Sequence, residues 1–358
     1  MLKHMPTKHL LSFLLFILFA VTAHAADVEY VNNGRGNVPV YLPSDYDDTK
    51  PLPLIISLHG YSDPNVDGYF EFVQQVDTRQ FIYCVPRGTN DFTGAAFWAG
   101  TDACCNFFGS NVDDSGYLRQ LIELIQAQYA VDASSIHFTG ISNGGFMSYR
   151  MACDHADLIA SIVPIAGTSY LDVEDCTPSE PVHVLHIHGT QDSTIRYDGG
   201  CIVFSCYPGA EESVSNWTGY NGCDFIPQDG GPAFNLDWSV GGNETTSTIY
   251  EQNCEEGVTV ELWEMAGSEH VPNFRRNSDA PSENLFANLA IDWMLAHPKP
   301  RLVQCSSDVD GNKVVDVNDL LSLLGSWGSD KPESDIDDNG IVNTVDLLTL
   351  IDNWGPCP

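Results

Sequence analysis

Ser142 is the residue whose surroundings point most directly to chemistry. It lies between two glycines in the sequence GISNG, residues 140–144, and follows the apolar run SSIHFTGI. This run is typical of a buried strand, and the next residues, GGFMSYRMA, are typical of a helix. A serine on such a sharp strand-to-helix turn holds its hydroxyl above a sheet edge. We therefore predict that Ser142 is a catalytic nucleophile.

A serine hydroxyl needs an adjacent base, and the base must be held in the right tautomer. Asp192 comes just after the apolar stretch HVLHIHG, and His270 follows the apolar stretch VTVELWEM. We predict that His270 is the base and that Asp192 orients it. The chain order Ser, Asp, His is that of the α/β-hydrolase fold and differs from the orders in chymotrypsin and subtilisin.

Alternatives stay open for both the acid and the base. Asp198, in the sequence RYDGG, is a second candidate for the acid. The other candidates for the base lie along one predicted strand, His183, His186 and His188, and the last two alternate with one residue between them. Alternation along a strand favours a structural or sheet-facing role. His59 ends a further predicted strand, and we interpret it as a residue that shapes the following loop.

The stretch PLPLIISLHGY, residues 51–61, supplies the remaining part of the predicted site. In the hydrolase fold, the loop after this strand contributes one backbone N–H to an oxyanion hole. We predict that the N–H groups of Tyr61 and Asn143 bind the oxyanion, each contributing about 3 kcal/mol. Tyr61, Trp98, Phe107 and Phe108 could line an aryl-binding cleft or belong to the core. Tyr61 and Trp98 are the candidates for substrate binding, and the core is favoured for Phe107 and Phe108. This mechanism requires no metal or organic cofactor.

The first 25 residues have the features of a signal peptide. Lys3 and Lys8 supply a positive region, an apolar stretch runs from Leu10 to Val21, and AHA at residues 23–25 fits a cleavage site. The apolar stretch is too short to span a bilayer. We therefore expect a secreted, extracellular protein. Its net charge of −34 repels nucleic acid and anionic membranes, so neither is expected as a partner.

The chain has 11 cysteines, which fits export into an oxidising compartment. Spacing alone does not fix their connectivity. The expected pairs are Cys153–Cys176, Cys201–Cys206, Cys223–Cys254 and Cys305–Cys357. The adjacent Cys104 and Cys105 either bond to each other or pair elsewhere. Cys84, inside an apolar strand, is the candidate for a buried free thiol.

After the signal peptide, the sequence divides into two predicted domains. Over residues 26–300, predicted strands alternate with amphipathic helices such as residues 113–130 and 284–298. Such alternation predicts an α/β domain with a mostly parallel sheet covered on both faces. The composition changes near residues 297–305, and a second, small domain is predicted over residues 303–358.

The second domain contains an acidic sequence that occurs twice. DVDGNKVVDVNDLLSLLGSWG, from residue 308, aligns with DIDDNGIVNTVDLLTLIDNWG, from residue 335. In both copies oxygen-bearing side chains occupy loop positions 1, 3, 5, 9 and 12, a spacing that suits the oxygen coordination of Ca²⁺. They are Asp308, Asp310, Asn312, Asp316 and Asp319 in the first loop and Asp335, Asp337, Asn339, Asn343 and Asp346 in the second.

These loops predict two Ca²⁺ sites in a small all-α module of paired EF-hand-like loops. Position 12 is Asp in both loops rather than the Glu usual in EF-hands. Lys313 stands at position 6 of the first loop, where a turn glycine belongs, and this weakens the first site relative to the second. A Cys305–Cys357 disulfide would bracket the module and stabilise it by about 4 kcal/mol.

Residues 26–300 resemble the secreted esterase family that contains poly(3-hydroxybutyrate) depolymerases, feruloyl esterases and acetylxylan esterases, within carbohydrate esterase family 1. The matching stretches are LHGY (58–61), FWAGTDACCN (97–106), VDDSGYL (112–118), GISNGGFM (140–147), HIHGTQD (186–192) and YDGG (197–200). The resemblance implies that Ser142, Asp192 and His270 are the catalytic residues. The family commonly has a tryptophan after the catalytic histidine, and Val271 at this position implies a different pocket wall.

Residues 305–358 resemble a type I dockerin, a calcium-folded module that docks onto cohesins. Dockerins carry partner-recognition residues at loop positions 10 and 11, here Val317-Asn318 and Thr344-Val345. These pairs differ from the commonest Ser-Thr pair and from each other. The resemblance implies Ca²⁺ binding and a cohesin-type partner whose identity stays open.

The expected function is that of an extracellular serine esterase that releases feruloyl or acetyl groups from plant cell-wall polysaccharide. A depolymerase of poly(3-hydroxybutyrate) or a related polyester would use the same chemistry with a different pocket. A third hypothesis is an inactive hydrolase-fold protein that serves in binding or as a scaffold.

Overall fold

The structure is a computed structural model that describes residues 26–276, 284–299, 307–310, 312, 314–329, 331, 334–337 and 339–356. The predicted signal peptide, Lys313 and the predicted Cys305–Cys357 disulfide lie outside the described residues. Among the residues that the structure does describe, no helix combines the length and the apolar composition needed to cross a membrane.

A ten-stranded sheet forms the centre of the first domain, counted over the described residues. Its strands in chain order are β1 (Asp27–Val31), β2 (Val38–Leu42), β3 (Leu52–Leu58), β4 (Ile82–Cys84), β5 (Val131–Ile141), β6 (Ser161–Ile165), β7 (His183–Gly189), β8 (Gln228–Asp229), β9 (Thr245–Tyr250) and β10 (Val260–Met265). They lie side by side in the order β1-β2-β4-β3-β5-β6-β7-β10-β9-β8. The six neighbours from β4 to β10 pair in parallel, and the outer pairs are antiparallel. The predicted α/β class with a mostly parallel sheet is confirmed.

Helices cover both faces of this sheet. They are α1 (Val66–Phe70), α2 (Val76–Arg79), α3 (Asp114–Gln128), α4 (Asn143–Asp154), α5 (Ala210–Tyr220) and α6 (Leu285–Ala296). Successive residues of a strand point to opposite faces. In β3, Leu54 and Ile56 therefore join the core that contains α3 and α4, whereas Ile55 joins the core that contains α6. Burial on both faces explains why the central strands are apolar throughout.

Short elements complete the first domain. Three 3₁₀ turns lie at Phe72–Gln75, Val173–Asp175 and Glu255–Gly257, and two small hairpins pair Thr89–Asn90 with Ala96–Phe97 and Gly200–Ile202 with Ser205–Tyr207.

The parallel arrangement brings the predicted site to one edge of the sheet. β3 ends at Leu58, β5 at Ile141, β7 at Gly189 and β10 at Met265. Because the carboxyl ends of parallel strands meet at the same edge, the loops that follow these strands adjoin one another.

The described cysteines pair largely as predicted. Three predicted disulfides are confirmed, Cys153–Cys176, Cys201–Cys206 and Cys223–Cys254. Cys104 and Cys105 bond to each other. Cys84 is a free thiol and is fully buried in β4, as predicted.

The C-terminal segment forms two short helices, α7 (Val317–Gly325) and α8 (Thr344–Asp352), and a short antiparallel pairing of Val314–Val315 with Gly355–Pro356. Each helix begins with a capping box, formed by residues 316 and 319 in α7 and by residues 343 and 346 in α8. A small shared core joins the two copies of the repeat, Val315, Leu323, Val342 and Leu350. The repeated sequence therefore folds as two matching loop–helix units.

Candidate active site

Ser142 lies on a tight turn between β5 and α4. Its backbone has φ 55° and ψ −117°, a conformation that residues with side chains rarely adopt. Gly140 and Gly144 permit this turn, because a Cβ on Gly140 would overlap the Gly144 carbonyl group and a Cβ on Gly144 would overlap that of Leu58. The Ser142 N–H donates to the Ile165 carbonyl oxygen at 2.8 Å, which ties the turn to β6. The turn holds the hydroxyl at the sheet edge.

The structure brings the three predicted catalytic side chains together. His270 Nε2 lies 3.0 Å from Ser142 Oγ, and His270 Nδ1 lies 2.7 Å from Asp192 Oδ2. Both are hydrogen-bond distances. The His270 side chain is 17% exposed, whereas that of Asp192 is fully buried. In this arrangement the imidazole can take the hydroxyl proton while the carboxylate fixes its orientation.

Asp192 is held as an anion by several donors. Its Oδ1 accepts the N–H groups of Thr194 and Ile195, each at 2.8 Å. Burial on its own raises the pKa of Asp192, but hydrogen bonds from His188 and His270 outweigh it and bring the pKa to about 2. The alternative acid, Asp198, is exposed and does not share these donors. The geometry therefore favours Asp192.

The loop that carries His270 is anchored on both sides by Asp237, which is 1% exposed. The Asp237 carboxylate accepts the Ser268 hydroxyl at 2.5 Å and the Asn273 N–H at 2.9 Å. Because Ser268 precedes His270 in the chain and Asn273 follows it, the two hydrogen bonds hold the backbone of His270 in place beside Ser142.

The two predicted oxyanion donors adjoin Ser142 from different loops. Asn143 is in the first turn of α4, where N–H groups have no intrahelical acceptor. Tyr61 follows Gly60, whose position is so close to the turn that an added Cβ would lie 3.8 Å from Ser142 Cβ. Both N–H groups can therefore serve a negative oxygen formed above Ser142.

His59 shapes the Tyr61 loop, as the sequence predicts. Its Nδ1 lies 2.8 Å from the Gly60 carbonyl oxygen, and its Nε2 accepts the Gly88 N–H at 2.9 Å. Burial lowers the pKa of His59, so the ring is neutral, with one nitrogen that donates and one that accepts. His183 also has a structural contact, since its Nδ1 accepts the Thr259 N–H at 2.9 Å.

A cavity of about 200 Å³ opens at Ser142 and His270. Tyr61, a predicted substrate contact, lies in its wall, together with Tyr69 and Val66. Val271, in the position where the resembled family commonly has tryptophan, also lines the cavity and is 63% exposed. The small side chain therefore leaves this side of the cavity open.

Two predictions about aromatic residues are wrong. Trp98 is fully buried, and its ring packs against that of His59 with the centroids 5.0 Å apart. Trp98 supports the site through its backbone. Its N–H donates to Asn143 Oδ1 at 2.7 Å, and its carbonyl oxygen accepts from Asn143 Nδ2 at 2.8 Å. Phe107 and Phe108, assigned to the core, are 39% and 51% exposed.

A buried hydrogen-bonded chain extends the site beyond the three predicted side chains. His188 Nε2 lies 2.8 Å from the Ile195 carbonyl oxygen and 3.3 Å from Asp192 Oδ2. His188 Nδ1 lies 3.0 Å from His186 Nε2, and His186 Nδ1 lies 2.7 Å from the Tyr149 hydroxyl. The sequence does not indicate this chain of hydrogen bonds, although the alternation of His186 and His188 on β7 places them on one face of the strand.

The proton on His188 Nε2 determines which group donates in each hydrogen bond from Tyr149 to His188. Both neighbours of His188 Nε2 can only accept, so this nitrogen carries the proton. In a singly protonated ring Nδ1 then accepts from His186, and His186 in turn accepts from Tyr149. Burial, and then the adjacent His188, hold the pKa of His186 well below its usual range, which keeps that ring neutral. The hydrogen bonds therefore run from Tyr149 through His186 to His188, whose Nε2–H bonds to the Ile195 carbonyl oxygen and lies 3.3 Å from Asp192 Oδ2.

The two acidic loops each gather carboxylates. The ligand atoms of Asp308, Asp310 and Asp319 lie within 4.8 Å of one another, and so do those of Asp335, Asp337 and Asp346. At position 6 of the second loop Gly340 has φ +87°, the left-handed turn that such loops require. Oxygen donors at this separation fit a hard divalent cation such as Ca²⁺.

The strand order places this domain in the class of α/β-hydrolases, which carry a nucleophile after the central strand and a histidine after the last parallel one. The chain matches the model of the family described as "Putative esterase" over residues 31–255. It belongs to this esterase family.

Several curated relatives are similar to this chain. It is 29% identical to "Feruloyl esterase B" of Piromyces equi over an alignment of 247 residues that covers 65% of this chain and 42% of that protein. It is 31% identical to "Probable feruloyl esterase C" of Aspergillus niger over 201 residues, 53% of this chain and 63% of that protein. It is 28% identical to "Bifunctional acetylxylan esterase/xylanase XynS20E" of Neocallimastix patriciarum over 163 residues, 45% of this chain and 22% of that protein. The chain thus spans less than two thirds of the length of each of these three relatives.

Proposed function

We propose that this chain is a secreted serine carboxylic-ester hydrolase that releases acyl groups, feruloyl in preference to acetyl, from plant cell-wall polysaccharide. The observation that carries the proposal is the hydrogen-bonded row Ser142–His270–Asp192, which opens onto a cavity. Membership of the esterase family supports the reaction type. The names of the relatives, feruloyl and acetylxylan esterases, support the substrate class.

The reaction follows from the positions of the atoms. His270 Nε2 takes the proton of Ser142 Oγ as the oxygen attacks the ester carbonyl carbon. The Asn143 and Tyr61 N–H groups stabilise the negative oxygen of the tetrahedral intermediate. His270 then protonates the departing alkoxide, and a water molecule hydrolyses the acyl-enzyme by the same steps. Asp192 stabilises the imidazolium throughout.

The cavity supports an acyl group larger than acetyl. Its volume of about 200 Å³ is many times the roughly 10–15 Å³ of cavity that a single water molecule needs. Tyr61 and Tyr69 in its wall offer aromatic surface to a planar ring. An acetyl group would leave most of this space unfilled.

The proposal is tested by parallel assays of the purified full chain on methyl ferulate, acetylated xylan and a film of poly(3-hydroxybutyrate). We expect the highest kcat/KM on methyl ferulate and lower activity on acetylated xylan. Activity confined to the polyester film would contradict the substrate class and support the depolymerase hypothesis. No turnover of any ester would support the binding or scaffold hypothesis.

We also propose that the C-terminal module binds Ca²⁺ in both acidic loops. In each loop three carboxylates lie close enough to repel one another, and a divalent cation would offset that repulsion. The remaining predicted ligands, Asn312 and Asp316 in the first loop and Asn339 and Asn343 in the second, lie in the same short turns. Ca²⁺ would stabilise the module and takes no part in ester hydrolysis.

A protein partner of the cohesin type is proposed for the same module. α7 and α8 leave apolar side chains exposed by about half or more, Val317, Leu321, Leu324, Val345, Leu348 and Ile351. An apolar surface of this kind on a small module supports docking to another protein.

Removal of Ca²⁺ is expected to loosen the C-terminal module and to leave esterase activity intact. With EGTA, limited proteolysis of the full chain should cut residues 305–358 at least about tenfold faster, since a ligand that binds only the folded state stabilises it. Asp337→Asn should weaken Ca²⁺ binding measured by calorimetry. Asp352→Asn, at the exposed end of α8, is the matched control and should bind as the wild type does. Equal cleavage rates with and without EGTA would refute the Ca²⁺ proposal.

His188 is expected to act as a positioning residue for Asp192. In His188→Phe the donor to Asp192 is lost, and kcat should fall by about tenfold to a hundredfold with little change in KM. His188→Gln, whose amide can donate from a similar position, should restore most of kcat. His183→Gln, on the same strand but bonded to Thr259, is the matched control. An equal loss in the Phe and Gln variants of His188 would indicate a packing role instead.

A further inference from the structure

Aromatic side chains lead away from the Ser142 cavity across the surface. Tyr61 lines that cavity, and its ring contacts the ring of Phe107 with the centroids 5.4 Å apart. Phe107 in turn lines a second cavity, of about 150 Å³, together with Phe204. We refer to Tyr61, Phe107 and Phe204 as the aromatic row. The row connects the nucleophile to a neighbouring surface cavity.

The outer members of the row are exposed. Phe204 is 96% exposed and Phe107 39%, and Val203, next to Phe204, is 71% exposed. Single exposed apolar residues are ordinary, whereas a group of them beside a cavity marks an interaction site. Because these exposed residues connect to the Ser142 cavity through Tyr61, we expect them to contact another part of the same substrate.

Both outer rings are presented from anchored loops. Phe204 lies at the tip of the hairpin 200–207, which the Cys201–Cys206 disulfide closes and whose Tyr207 is buried. Phe107 follows the buried Cys104–Cys105 pair and Asn106, whose side chain bonds twice to the backbone of Ser110. A contact surface that is already in place loses little conformational entropy on binding.

The second cavity also offers polar groups. Asp102, which is exposed, and Ser205 line it beside the two phenylalanine rings. Sugar rings present apolar C–H faces and hydroxyl groups at the same time, and this mixture of aromatic and polar side chains matches both. The net charge of −34 repels polyanions but not a neutral glycan.

We propose that the aromatic row binds the sugar chain that carries the ester. The acyl group enters the Ser142 cavity, and neutral sugar rings next to the esterified one stack on Phe107 and Phe204. This inference rests on the proposed polysaccharide esterase function and specifies how the enzyme holds the part of the substrate that does not react.

The first test compares a polymeric with a small substrate. In Phe204→Ala and in Phe107→Ala, the ratio of kcat/KM on feruloylated arabinoxylan to kcat/KM on methyl ferulate should fall about tenfold, as expected for the loss of one buried aromatic contact. Phe204→Trp should keep the ratio. Phe225→Ala, which removes a 61% exposed phenylalanine outside both cavities, is the matched control and should also keep it. Unchanged ratios in the two row variants would overturn the inference.

The second test measures binding without turnover. In the Ser142→Ala background, the full chain should be retarded by feruloylated arabinoxylan in a native gel, and Phe107→Ala or Phe204→Ala should reduce the retardation. Equal retardation, or none at all, would overturn the inference. A defect seen on a poly(3-hydroxybutyrate) film but not on the glycan would assign the row to a polyester instead. Absence of ester hydrolysis by the wild type would count against the proposed function. The binding assay does not depend on hydrolysis and tests only whether the aromatic row binds the glycan.

Discussion

Ser142→Ala is expected to reduce kcat/KM on methyl ferulate by at least about 10⁴-fold. The hydroxyl that lies 3.0 Å from His270 Nε2, the proposed attacking group, is lost. The fold should be unaffected, because alanine keeps the N–H that bonds to Ile165 and no side-chain hydrogen bond caps the helix at this position. Activity is measured as ferulate release and stability as the thermal midpoint by circular dichroism.

Ser148→Ala is the matched control for this experiment. Ser148 lies in the second turn of the same helix, is fully buried, and its hydroxyl donates to the Gly144 carbonyl oxygen at 2.8 Å. Its loss should leave kcat/KM within a few-fold of the wild type. Undiminished hydrolysis by the Ser142 variant would show that another group is the nucleophile and would remove the basis of the proposed mechanism.

Asp192→Asn is expected to lower kcat by about 10⁴-fold, with the fold preserved. The N–H groups of Thr194 and Ile195 both donate to Oδ1, so the amide oxygen of the asparagine must take that position. Its NH₂ group then faces His270 Nδ1 and forces this nitrogen to accept. The proton moves to His270 Nε2, which can no longer take the proton of the Ser142 hydroxyl.

Asp198→Asn is the matched control, since Asp198 is exposed and was the alternative acid in the sequence. It should retain activity within about twofold, as most surface substitutions change little. The ratio of the two kcat values is measured on methyl ferulate at one pH. A larger loss in the Asp198 variant than in the Asp192 variant would reverse the assignment of the acid.

The positions of the candidate triad could be predicted because each residue follows a strand end. Ser142, Asp192 and His270 come after β5, β7 and β10, and the parallel sheet brings such loops to one edge whatever the details of packing. Three of the disulfides were also predicted correctly. In these cases a local pattern and the fold class together determine the outcome.

The errors concern properties that depend on distant parts of the chain. Trp98 is buried because His59 and Asn143, 39 and 45 residues away, pack against it or bond to it. The aromatic pair after Cys105 is exposed because its loop turns away from the core, which no periodicity in the sequence indicates. Exposure of an aromatic residue in a loop is set by its neighbours in space.

The hydrogen-bonded chain behind Asp192 was missed for a related reason. The positions of the histidines along β7 favour a structural role and do not identify a partner. Tyr149, which completes the chain, is on α4, 37 residues before His186. Only the packing of α4 against the sheet brings its hydroxyl to the imidazole.

The unusual backbone of Ser142 links reactivity to heat tolerance. A residue with a side chain in this conformation costs about 1–3 kcal/mol, which the rest of the domain must offset. Glycine at this position would remove much of that cost. Its greater conformational freedom in the unfolded chain would destabilise the folded protein by about 0.5–1 kcal/mol, which offsets only part of the gain. Selection of variants for survival at high temperature alone is therefore expected to favour replacement of Ser142, the proposed nucleophile. Variants of this enzyme with higher thermal stability must therefore be selected for ester hydrolysis at the same time.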